Sequence, residues 1–138
     1  MNIIQLSDSL AVAAQIAPEE VAVVAARGYR VLVNNRPDGE EGAQPSASEL
    51  AELAKAAGME YHHMPVTHMD FPGEDFAAFS ALVDDPEKPV LAFCRSGTRC
   101  ANLWVASRPS AAQEEAMQTA RRMGFDLGMA DRYLAQRR

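Results

Sequence analysis

The chain has 138 residues, 48% of them hydrophobic, with 19 Asp and Glu against 13 Lys and Arg and a net charge of −6. That is the size of one compact domain with a single core, so residues 1–138 are read as one domain. The negative field disfavours a nucleic-acid or anionic-membrane partner, and an anionic substrate would need a locally basic pocket.

The N-terminal stretch NIIQLSDSLAVAA reads as one or two short strands. Its apolar part, residues 10–17, resembles a signal-peptide core only superficially, because no Lys or Arg precedes it and Asp8 does. No apolar run approaches the length of a membrane span, so no membrane partner is expected and a cytoplasmic location is the default. In APEEVAVVAARG, Pro18 suits a first helical turn, Glu19 and Glu20 favour the positive helix end, and Gly28 is a stop signal. YRVLVNN (29–35) is a β-branched strand that runs into the turn-rich loop RPDGEEGAQPSAS. Ser46 or Ser48 can cap the next helix, in which Leu50 and Leu53 mark an apolar stripe that ends before Gly58. MEYHHMPV is another strand, and its adjacent His62 and His63 must face opposite sides, so they cannot share one metal ion. The loop THMDFPG and a helix within EDFAAFSALVDD follow, then KPVLAFC, a continuous apolar run of the kind found in a central parallel strand. The remaining chain predicts a helix through 100–107 and two terminal helices whose basic end, 136–138, reads as solvated. Short apolar runs alternating with helical patterns predict an α/β fold, a central mostly parallel sheet flanked by helices.

Chemistry concentrates in CRSGTRC, residues 94–100. A strand that hands a cysteine to a short loop and then to a helix aims several backbone N–H groups at one point and adds the helix's positive end. An anion is favoured there, and the Cys94 thiolate is one, so its pKa should fall. Gly97 allows tight curvature, and Arg95 and Arg99 supply fixed positive charge, with Ser96 and Thr98 completing the cradle for an anionic substrate. Both cysteines lie within seven residues, a pattern of reactive thiols in a reducing compartment rather than of a disulfide framework. Cys100 is either a small buried stand-in for serine or a resolving cysteine that closes a disulfide on oxidised Cys94. Arg36, on the loop after the strand at 29–35, is a further candidate for anion binding, its alternative being a salt-bridged turn arginine. Asp70 is the candidate general acid on a separate loop, with a plain turn role as its alternative. No metal or cofactor is expected.

CRSGTR resembles the active-site loop of rhodanese-type sulfurtransferases. Together with QIAPEEV, VNNRPDGEE, QPS and MPV, it resembles the beta-lactamase hydrolase-like, phosphatase-like domain family over most of residues 3–108. That resemblance implies a cysteine-phosphatase-like fold, a role in sulfide handling, and a persulfide dioxygenase as partner. Cysteine phosphatases carry C-x5-R, whereas Arg99 stands at C-x4-R, and a shorter loop should suit a sulfane sulfur better than a phosphoryl group. The expectation is therefore a sulfurtransferase that takes sulfur from a small anionic donor onto Cys94 and passes it to a thiol acceptor. A phosphatase working through phospho-Cys94 with Asp70 as acid, and a redox sensor using Cys94 and Cys100, are the alternatives.

Overall fold

A computed structural model describes residues 1–137; Arg138, the last residue of the basic end, lies outside the described residues. Five strands form one sheet: β1 (Ile3–Gln5), β2 (Leu10–Ala13), β3 (Val31–Asn34), β4 (Glu60–His63) and β5 (Val90–Phe93), in the spatial order β1-β2-β5-β3-β4. β1 pairs antiparallel with β2, with Ile3 opposite Ala13, and all the other pairings are parallel. The N-terminal apolar stretch is thus a hairpin whose second strand joins the parallel sheet. β5 lies between β2 and β3, and its four residues are buried, as its unbroken apolar sequence requires.

The helices are α1 (Val21–Ala26), α2 (Ala47–Ala56), α3 (Phe76–Leu82), α4 (Thr98–Ala106), α5 (Ser110–Arg122) and α6 (Gly128–Gln136). α1 is preceded by a 3-10 turn at Pro18–Glu20, where the Glu20 carboxylate accepts from the Ala17 N–H at 2.7 Å. Ser46, the first of the two candidate caps, caps α2 by accepting from the Glu49 N–H at 3.1 Å. α3 is shorter than its sequence suggests, ending before the Asp84-Asp85-Pro86 run. None of these helices is long and apolar enough to cross a membrane.

The side-chain alternation of β5 splits the interior in two. Leu91 and Phe93 join Ala11, Ala13 and Leu32 under α1 and α2, packed against Val21, Val24 and Leu50. Val90, Ala92 and, by the same period, Cys94 belong to the opposite layer with Leu103, Trp104, Ala116 and Ala130 of α4, α5 and α6. β4 is an edge strand and only half covered: His62 meets Glu60 at 2.6 Å on one face, while His63 Nε2 lies 2.9 Å from the Arg36 carbonyl on the other. This is the opposition that the strand's period predicts. At the carboxyl ends of the parallel strands, the segments after β2, β3 and β5 converge, which is where open α/β sheets place their sites.

Candidate active site

Cys94 is the first residue after β5, and its amide donates to the Ala13 carbonyl at 3.4 Å, so the end of β2 braces the loop. Gly97 turns the chain into α4 with φ +89°, a region that side chains rarely occupy. A Cβ there would also lie 3.4 Å from the Ala13 carbonyl group. The turn brings the Gly97 N–H to 3.2 Å from Cys94 Sγ. It starts α4 at Thr98, so the free amides of the helix's first turn open towards the loop.

The Cys94 thiol is held down at about 5, first by the hydrogen bond from the Cys100 side chain, with backbone amides of Cys100 and Ser96 and the Arg99 charge adding to it against the cost of burial. Its resting state at neutral pH is the thiolate. Cys100, fully buried, is pushed well above the usual thiol range by that burial and by the neighbouring thiolate, so it stays protonated and donates. Both thiols are free. Cys100 therefore sits beside Cys94, where a hydroxyl could do the same work.

Arg99 reaches across the site to the loop after β3. Its Nη1 donates to Glu40 Oε2 at 2.8 Å and to the Val66 carbonyl at 3.0 Å, and its Nη2 donates to Glu40 Oε1 at 2.9 Å. A guanidinium has five N–H donors, and among the described residues Nε and the second Nη2 hydrogen have no partner. Those two lie on one edge of the plane and form a fork suited to an oxyanion. Glu40 is held at about 2 by the Arg99 hydrogen bonds and by Arg36, against the cost of burial, so it is a fixed anion rather than a proton donor.

Arg36, 2% exposed, donates from Nε to Glu40 Oε1 at 2.8 Å, from Nη2 to Glu41 Oε1 at 2.6 Å and from Nη1 to Gln15 Oε1 at 3.0 Å. It is the salt-bridged arginine of the two readings its position allowed: it braces the acidic loop and does not line the cavity. Arg95, mostly exposed, lies 3.4 Å from Glu41 through Nε.

Above the loop is a cavity of about 420 Å3. Arg95, Ser96, Thr98 and Arg99 form its base, and Glu40, Thr67, His68 and Met129 its walls. Asp70 is outside this lining. Its Oδ1 accepts from the Thr67 N–H at 2.7 Å and the Thr67 hydroxyl at 3.0 Å, and it borders an adjoining cavity that shares Thr67. The structure thus gathers Cys94, Arg95, Ser96, Gly97, Thr98, Arg99 and Cys100, as the sequence indicates, and adds Glu40, His68 and Met129. The signal for Glu40 lay in its position, an acidic pair on a strand-end loop facing a basic one. Met129 carries no such signal. Among the described residues, no three His, Cys, Asp or Glu side chains are grouped to hold a metal ion.

The sequence matches the family described as the beta-lactamase hydrolase-like protein, phosphatase-like domain, over residues 2–112. It is 36% identical over 139 aligned residues to a beta-lactamase hydrolase-like protein of Xylella fastidiosa (strain Temecula1) and 31% identical over 137 to one of Agrobacterium fabrum (strain C58). Each match covers 97% of this chain but 32% of the relative, so the chain spans about a third of the length of those proteins. Among solved structures, a candidate phosphatase of Neisseria meningitidis superposes with a TM-score of 0.79 at 32% identity, covering 100% of this chain and 99% of that one. Tk-PTP (TM-score 0.74, 22% identity, 98% of this chain and 94% of that one) and TpbA of P. aeruginosa (0.68, 18%, 99% and 84%) share the fold. The fold is that of the cysteine phosphatases.

Proposed function

The chain belongs to the beta-lactamase hydrolase-like phosphatase-like domain family, and on that premise we propose that it is a cysteine-dependent phosphatase acting on phosphate monoesters. The observation that carries the reading is a buried Cys94 thiolate, held at about 5, in a loop whose Arg95, Ser96, Thr98 and Arg99 line an open cavity, Arg99 with two N–H donors uncommitted. In this reaction Cys94 Sγ attacks phosphorus in line, an S–P bond forms and the ester P–O bond breaks. Loop amides and the Arg99 fork hold the phosphoryl oxygens as charge shifts towards the leaving oxygen, which takes a proton as it departs. Water then attacks the phosphocysteine, releasing phosphate and regenerating the thiolate. The sulfur transfer expected from the loop's length gives way here to phosphate chemistry, the reading better supported by a relative as close as the Neisseria protein.

Sulfur transfer remains the second reading, favoured by one feature of the cavity. Its only lining carboxylate, Glu40, is tied to two arginines and cannot serve as an acid, and a sulfite or thiolate leaving group would need none. In that reaction Cys94 takes the outer sulfur of a small anionic donor as a persulfide and yields it to a thiol acceptor. A persulfide dioxygenase would be the natural partner, and a reducing cytoplasm would keep Cys94 and Cys100 as thiols.

The deciding experiment is a side-by-side assay of wild type and Cys94→Ala with p-nitrophenyl phosphate and with thiosulfate, followed by intact-mass analysis of the trapped enzyme. Turnover of the ester, inhibition by vanadate and a phosphoryl adduct on Cys94 are expected, all lost in Cys94→Ala. A single added sulfur atom with no ester hydrolysis would replace this reading with the second.

A further inference from the structure

Breaking an ester P–O bond leaves an alkoxide or phenoxide that has to be protonated, and the groups able to do so are few. Four titratable side chains line the cavity above Cys94: Glu40, His68, Arg95 and Arg99. The two arginines keep their protons at any working pH. Glu40 accepts from Arg99 and Arg36 on both oxygens and is held at about 2, so it has no proton to give. Asp70, two residues beyond His68, spends Oδ1 on the Thr67 amide and hydroxyl and faces the adjoining cavity. His68 remains. It is exposed, and its ring makes no hydrogen bond among the described residues, so both nitrogens are free to meet a substrate.

We propose that His68 is the proton donor to the leaving oxygen in this site. The inference rests on the phosphatase reading and names the group that completes it. As Cys94 Sγ forms its bond to phosphorus, the P–O bond electrons pass to the ester oxygen and the His68 imidazolium N–H transfers its proton there. The ring is then neutral. In the second step it takes a proton from the water that attacks the phosphocysteine, the S–P electrons return to Cys94, and both groups are restored. The Thr67–Asp70 bonds have a supporting role, because they close the turn that presents His68 to the cavity. Asp70 is then a positioning residue.

A proton donor is needed only when the leaving group is poor, which gives a test that a merely structural role would not pass. Wild type, His68→Asn and Asp70→Asn are assayed for kcat/KM, which reads the steps up to formation of the phosphocysteine and leaves out its hydrolysis, on p-nitrophenyl phosphate and on phenyl phosphate. His68→Asn is expected to lose roughly 100-fold or more on the phenyl ester and only a few-fold on the nitrophenyl ester. Asp70→Asn, which leaves the imidazole in place, should slow both esters by a similar small factor. A His68→Asn enzyme that treats the two esters as wild type does, or a leaving-group-dependent loss in Asp70→Asn alone, overturns the proposal. A wild type that hydrolyses neither ester removes the phosphatase reading and the proposal together, whereas hydrolysis untouched by His68→Asn removes the proposal only. His68 lies on an exposed loop, so its replacement is expected to leave the urea unfolding midpoint unchanged.

Discussion

Cys94 combines two opposed effects, because burial alone would raise a thiol's pKa and the surrounding donors lower it to about 5. The largest of those donors is the Cys100 thiol, so Cys100 is the residue through which the nucleophile can be tuned. Since only the thiolate alkylates, the iodoacetamide rate at Cys94 should be level above pH 6 and fall as the pH drops through about 5. Cys100→Ala removes the donor and should move that midpoint upwards; Cys100→Ser restores an O–H donor and should return it most of the way. Mass mapping of the alkylated residue checks both. An unchanged midpoint in Cys100→Ala would mean that the backbone amides and Arg99 suffice, and that Cys100 is only filling space. A midpoint that moves in Cys100→Ala and returns in Cys100→Ser would make Cys100 a stand-in for serine, and a resolving role is read by the same alkylation assay after mild peroxide.

At the scale of elements, the Cys94 loop is held from two sides. β2 braces it from the front, where Ala13 approaches Gly97 closely, and α6 braces it from behind through Asn102. Asn102 is fully buried on α4; its Nδ2 donates to the Thr98 and Asp126 carbonyls at 2.8 Å each, and its Oδ1 accepts from the Ala130 N–H at 2.9 Å. One side chain therefore joins the first turn of α4 to the start of α6, which carries Met129 into the cavity wall. Asn102→Ala would leave the buried Ala130 amide without a partner and should cost about 2–3 kcal/mol, read as a lower urea midpoint with an unchanged m-value. Gly97→Ala forces a Cβ into the φ +89° region and should cost about 1–2 kcal/mol while abolishing turnover. These elements show what can be read from sequence and what cannot. The apolar run of β5, the cysteine after it and the glycine before α4 are local signals, and they put Cys94 on the turn between β5 and α4, where the structure has it. Asn102, Glu40 and Met129 act across 24 or more residues of sequence separation, where neither periodicity nor turn chemistry has anything to register. Arg36 and Asp70 failed to reach the cavity for a related reason: a loop residue's type is visible, but the partner that captures it is not.

For the molecule as a whole, a net charge of −6 has to be reconciled with an anionic substrate, and the arrangement around Glu40 does so. Among the charges that line or brace the cavity, Arg36, Arg95 and Arg99 outnumber Glu40 and Glu41, and the two acids hold the arginines in place rather than cancel them. Glu40 links the loop after β3 to Arg99 at the start of α4, alongside the longer and more exposed Arg95–Glu41 contact. In Glu40→Gln one oxygen becomes an NH2 that faces guanidinium donors, so the bidentate contact to Arg99 is lost and the buried Arg36 is left with Glu41 as its one carboxylate partner beside Gln15. Loss of orientation should lower kcat by roughly tenfold. Loss of the anion should cost roughly 2 kcal/mol of stability at neutral pH, the scale of a charge-assisted hydrogen-bonded pair that is partly open to water. The pH dependence separates these effects. The folded-state pKa of Glu40 lies below its unfolded value, so its contribution is complete above the ordinary carboxylate range and disappears as the pH falls through about 2. The gap between wild-type and Glu40→Gln urea midpoints should therefore be widest near pH 7, begin to narrow below about pH 4.5 and close towards pH 2. A gap that stays constant across that range would place the variant's cost in packing, and Glu40 would not be the charge that ties the loop after β3 to Arg99.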